Sequence, residues 1–115
     1  MAENKLADLS MDFAVKILKM TDGIKGHYSL VNQLERSATS IGANIHEVQY
    51  AQGTKDFISK FEIALKEASE TGYWLELLYR TKYIDEQTFK ALSSKCNSLR
   101  VMLIASCKTA KENNK

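Results

Sequence analysis

The sequence predicts an all-α protein, an antiparallel up-down-up-down four-helix bundle formed as one domain over residues 1–115. Proline is absent and there are only five glycines, so little in the chain interrupts a helix. Four segments carry apolar residues every three or four positions, the period of a helix with one buried face. Only a few residues join each segment to the next, which makes neighbours run antiparallel. A chain of 115 residues, 44% of them hydrophobic, can build one core and is too short for two of ordinary size.

The first helix is read from about Asn4 to Met20, with Leu6, Leu9, Phe13, Ile17 and Met20 as its apolar seam, stopping at Thr21-Asp22-Gly23. After a loop to Gly26, Ser29 is placed as the N-cap of the second helix, whose seam is Leu34, Ala38, Ile41, Ile45 and Val48. Gln52-Gly53-Thr54 breaks that pattern, and Thr54 is placed as the cap of a third helix lasting to about Tyr79 or Lys82. Asp85 is placed as the cap of the fourth, with Ile84 and Phe89 as its hydrophobic staple. Phe89, Leu92, Cys96, Leu99, Leu103 and Ser106 then form the last seam, and the tail KENNK is expected to fray.

The third helix is more apolar than one buried face requires. At about 100° per residue, Phe57, Phe61, Ala64, Ala68, Thr71, Leu75 and Leu78 make one stripe, while Ile63, Trp74 and Leu77 make another more than a quarter-turn away. The first stripe suits the protomer's own core. The second calls for another partner, and Ile63, Trp74 and Leu77 are the expected subunit interface.

Small residues from Ser37 to Ala43 leave the second helix slender over two turns. Gly42 in a helix interior costs about 1 kcal/mol relative to alanine, which a close neighbour would explain, and the third helix is the expected one. Beside the second helix's seam, Gln33, Arg36, Ser40, Asn44 and Glu47 share a face; Lys60, Glu67, Glu70 and Trp74 lie likewise on the third. Counting away from the turn near Gln52 puts Arg36 level with Glu67 or Glu70, and Lys60 with Asn44 or Glu47. Arg36, Ser40, Asn44, Glu47, Lys60, Glu67 and Glu70 are therefore expected to form a structural polar network that fixes register more than it adds stability, the alternative being a ligand or catalytic site that uses Glu47, Glu67 and Glu70.

Chemistry finds little support. Ala43 and Ile24 stand three residues before His46 and His27, so neither histidine completes the Glu-x-x-His pattern of a di-iron bundle. His46-Glu47-Val48-Gln49-Tyr50 has tyrosine where a zinc-protease helix needs its second histidine. Gly53-Thr54-Lys55 lacks the earlier glycine of a phosphate loop, and no serine nucleophile is set up by spacing. The expectation is no enzyme, no catalytic residue, no cofactor and no metal. Cys96 and Cys107 lie eleven residues apart on one helix, about 16 Å along its axis, so they cannot bridge each other and read as core residues in a reducing compartment, the alternatives being an intermolecular disulfide or a redox role. Neither a membrane-spanning run nor a signal peptide is evident, and the expected location is the cytoplasm.

QLERSATSIGANIHE followed by DFISKFEIALKEASETGYWLELL resembles the four-helix-bundle family known as 23S rRNA-intervening-sequence proteins, closely from Tyr28 to Leu78. That name records where founding members are encoded and not an activity. The resemblance implies a homopentamer of antiparallel protomers with no known catalysis. Relatives serving diversity-generating retroelements have basic surfaces and are thought to bind nucleic acid and a reverse transcriptase, whereas this chain has a net charge of only +2.

The fourth helix is nevertheless basic. From Gln87 to Lys111 it carries Lys90, Lys95, Arg100, Lys108 and Lys111 with no acid, and Arg100, Lys108, Lys111 and Lys115 fall on one face. The expected function is a non-catalytic oligomeric scaffold or protein-interaction protein. The alternative is an accessory protein that binds RNA or DNA through those four residues in a salt-dependent, sequence-independent way.

Overall fold

The computed structural model describes residues 2–113 and contains α1 (Ala2–Thr21), α2 (Tyr28–Glu47), α3 (Thr54–Arg80) and α4 (Glu86–Asn113). A single 3-10 turn, Val48–Tyr50, follows α2. Each helix packs on the next and α4 returns against α1, so α1 and α3 stand at diagonal corners with the shared core between their backbones. The result is an all-α bundle measuring 47 × 21 × 19 Å.

Phe13, Ile17, Leu34, Ala38, Ile41, Phe61, Ala64, Ala68, Leu75, Leu78, Leu99 and Leu103 close the core with almost no exposure. On α1 the buried row is Leu6, Ser10, Phe13, Ile17 and Thr21. Leu9, expected in that seam, is 37% exposed, and Met20 is only partly buried. The cause lies across the helix pair. A Cβ added to Gly42 would sit 3.2 Å from Ser10 Oγ, so α2 comes close to α1 there and turns α1 to present Ser10. The neighbour that explains Gly42 is therefore α1, not α3 as expected. Ser37 is the small residue that faces α3, where its hydroxyl lies 2.9 Å from that of Thr71.

Two helix starts also differ from expectation. Ser29 does not cap α2; the N-cap is His27, two residues earlier. His27 takes a left-handed conformation (φ 46°), Gly26 before it has φ 95°, and the His27 carbonyl accepts from the Leu30 and Val31 amides. A backbone turn supplies this cap, and glycine makes it accessible. Thr54 is likewise the first residue of α3, and Gly53 (φ 97°) occupies the N-cap position without a side-chain bond. Asp56 serves that end in reverse, accepting from the Gln52 amide at 2.9 Å.

At α4 Asp85 caps as expected. Its Oδ1 accepts from the Thr88 amide at 2.7 Å, and the bonds from the Thr88 backbone and hydroxyl hold its carboxyl below the usual range. Ile84 is buried, and Phe89 stacks on Tyr79 with ring centroids 4.5 Å apart. These contacts fix the angle between α3 and α4. Cys107 and Ala110 carry the α4 seam to its end, where Ser106 is only partly buried.

Candidate functional site

The polar side chains of α2 and α3 meet along one outer face of the bundle. Arg36 Nη1 lies 3.1 Å from Glu67 Oε2 and Nη2 lies 2.7 Å from Glu70 Oε2, so one guanidinium holds two carboxylates one turn apart. Gln33 Oε1 accepts from Arg36 Nε at 3.3 Å and orients the fork. The bond to Glu70, followed by the charge of Glu67, raises the guanidinium pKa above its ordinary value. Lys60 Nζ lies 3.4 Å from Glu47 Oε2 at the other end of the pair.

Ser40 and Asn44 stand between these ends and do not link them. Asn44 Nδ2 donates to the Ser40 carbonyl at 2.8 Å, a bond within α2. The polar face is thus two separate ion-pair groups. Its carboxylates are committed to cations, which leaves Glu67 and Glu70 poorly placed for proton transfer. Below them Thr71 Oγ1 lies 2.9 Å from Ser37 Oγ and 2.8 Å from the Glu67 carbonyl, while Ser37 Oγ lies 3.1 Å from the Leu34 carbonyl. Two hydroxyls have two protons for three contacts, so one contact is always shared or unmade.

The thiols offer no nucleophile either. Cys96 and Cys107 are buried and unbonded to each other; burial pushes Cys96 up to about 11, and it donates to the Ala68 carbonyl at 3.2 Å. Such a thiol is protonated at neutral pH. Among the described residues, no three of His, Cys, Asp and Glu converge as a metal site requires.

The second apolar stripe of α3 lies beside the Arg36 group. Ile63 is 41% exposed, while Trp74 and Leu77 are half-buried. Tyr73, which the sequence places about 100° from Trp74 and outside that stripe, is 62% exposed and meets the Trp74 ring edge-on at 5.0 Å. Trp74 Nε1 is covered yet has no acceptor. A second exposed row also escapes the sequence reading: Met11 (66% exposed), Val15 and Leu18 on α1. Its spacing of four and three is the signal that could have found it, once two stripes are sought on α1 as on α3.

The basic face of α4 is smaller than its own sequence suggests. Glu62 of α3 lies 3.0 Å from Lys111 Nζ, and Glu86 pairs with Lys90 at 2.9 Å. Each carboxylate raises its lysine's pKa through the bond it accepts. Counting charge from Gln87 to Lys111 misses Glu86 one residue before that stretch and Glu62 on the neighbouring helix, so Lys90 and Lys111 are compensated and, among the described residues, the other three cations are not. Arg100 and Lys108 make no ion pair among the described residues, and Lys115 lies outside those residues. No described helix is long and apolar enough to cross a membrane.

Comparison with curated proteins finds no match. A solved crystal structure is similar over nearly its whole length, a protein of unknown function from the S23 ribosomal protein family of Bacteroides thetaiotaomicron. It shares 42% identity with a TM-score of 0.88, covering 94% of this chain and 99% of that one. The family model for the 23S rRNA-intervening sequence protein matches residues 2–105. With four helices in this order and a match spanning nearly all of them, the chain belongs to the 23S rRNA-intervening sequence protein family.

Proposed function

We propose that the protein is a non-catalytic scaffold that works as a homo-oligomer, a pentamer by family resemblance, in the cytoplasm. The observation that carries this reading is the outer row of α3. Phe61, Ala64, Ala68, Thr71, Leu75 and Leu78 already serve the core, yet Ile63, Tyr73, Trp74 and Leu77 add apolar surface outside it. Hiding that surface favours association by roughly 25 cal/mol per Å². Two buried, unbonded thiols agree with a reducing compartment.

Light scattering tests the reading directly. The expected mass is about five times the 13.0 kDa chain, and a stable monomer at high concentration would overturn it. Trp74→Glu is expected to dissociate the assembly. Because Trp74 is half-buried, Ile63→Lys at the exposed end of the row serves as the variant that leaves the core intact.

A second reading rests on Arg100 and Lys108, which project from α4 without an acidic partner among the described residues. Repeated around an assembly, they would form a ring of cations for nucleic-acid phosphates. An anisotropy titration with structured RNA checks it. Binding at low salt that weakens at moderate salt and is lost in R100E/K108E supports this role, whereas no binding at low salt leaves the scaffold reading alone.

A further inference from the structure

Among the described residues, α1 and α3 present different apolar rows at opposite corners of the bundle, and α4 adds the exposed pair Val101 and Ile104. Met11, Val15 and Leu18 lie along about 10.5 Å of α1, and Ile63, Tyr73 and Trp74 along about 16 Å of α3. The two helices are diagonal with the core between them, so the rows on their outer faces point away from each other and cannot cover one another within a protomer.

Their heights agree. On one side of α2, Ser10 abuts Gly42 and Thr21 bonds to Glu35. On the other, Arg36 meets Glu67 and Glu70, Ser37 meets Thr71, and Glu47 meets Lys60. Measured through α2, Ser10 is level with position about 64 of α3 and Thr21 with about 71. Met11 to Leu18 therefore falls inside the span from Ile63 to Trp74.

One pair of unlike charges falls at the same height: Asp12 is level with Lys66. Both are exposed and make no ion pair among the described residues. A rotation about an axis parallel to the helices moves a copy sideways without raising it, so positions of equal height are the ones it brings together. A contact between two unlike patches is heterologous and closes into a ring when the rotation permits.

From these observations, and resting on the oligomeric reading above, we infer that the α1 row Met11, Val15 and Leu18 of one copy receives the α3 row Ile63, Tyr73 and Trp74 of the next, head to tail. Both rows lean toward α2. Lys60, Glu67 and Glu70, which share the row of Ile63 and Trp74, bond to α2, whereas Lys5, Leu9, Asp12 and Lys16 line the α4 side of α1, which puts Asp12 at the outer edge of the contact. The contact therefore draws the α2 helices inward and leaves α4 on the outside.

Cysteine cross-linking tests the assignment, since the native thiols are buried. Under copper-phenanthroline oxidation the double variant M11C/I63C is expected to give a ladder of linked chains, while M11C alone and I63C alone give no dimer. Mixing the two single variants should give one heterodimer. A dimer from either single variant would mean like patches meet about a two-fold axis, and overturns the inference. No linkage in a variant that light scattering shows assembled also overturns it while the oligomeric reading stands, whereas a monomeric wild type removes both. As a second measurement, D12K or K66D alone should raise the dissociation midpoint by about tenfold and the double exchange should recover most of it. Additive weakening overturns the register.

Discussion

At the scale of single residues, Ser10 and Gly42 decide how the first helix sits. The apolar residues of α1 surround it, because Leu9, Met11, Val15 and Leu18 accompany the buried row. Its own pattern therefore leaves its rotation open, and the exposure of Leu9 was not legible from it. The rotation is set by the absent side chain at Gly42. Gly42→Ala brings a Cβ to 3.2 Å from the Ser10 hydroxyl, which offsets most of the gain of about 1 kcal/mol in helix propensity. S10A/G42A removes the obstruction and should exceed the wild type by about 1 kcal/mol in denaturant unfolding, whereas Gly42→Leu should cost several. Thr71 is the corresponding point on α3. Thr71→Val should cost about 1–2 kcal/mol, and S37A/T71V should cost less than its two parts together, since the double variant removes both ends of a buried hydroxyl pair.

At the scale of elements, register is carried by charge and helix starts by local turns. The Arg36–Glu67, Arg36–Glu70 and Lys60–Glu47 pairs fall where counting from the turn near Gln52 puts them, because α2 and α3 are close to straight and antiparallel. That part of the polar face is legible in the sequence. The separateness of Ser40 and Asn44 is not, because a side chain can bond to its own helix at the same spacing. Arg36→Ala leaves Glu67, whose side chain is only 11% exposed, without its cation, and a lower Tm is expected. Replacing Glu67 by methionine in the same variant should restore part of the loss, and an unchanged Tm for Arg36→Ala would count against the network. The Asp85 cap gives a pH dependence with a definite sign. Its folded carboxyl titrates below the unfolded one, so its stabilisation is complete above the ordinary carboxylate range and fades as pH falls through the lowered value. Asp85→Asn should flatten that acid limb in a Tm-against-pH series.

At the scale of the whole molecule, the fold class and the order of the helices were legible because each helix has a seam and each connection is short. Surface charge was not, since Glu62 and Lys111 belong to different helices and only packing brings them together. The thiols show the same dependence on packing. Cys96, pushed up to about 11 by its burial, should resist a thiol reagent at pH 8 until the bundle unfolds, and Cys107, nearer the end of α4, should react first.

The short connections have a kinetic consequence. Each helix meets its sequence neighbour before any distant partner, so contact order is low and refolding should finish within about milliseconds. With no proline anywhere, the seconds-long phase that peptide-bond isomerisation imposes on many proteins has no source in this chain. Any slow step seen after dilution from denaturant should then quicken with protein concentration, because it reports chains finding one another and not chains folding.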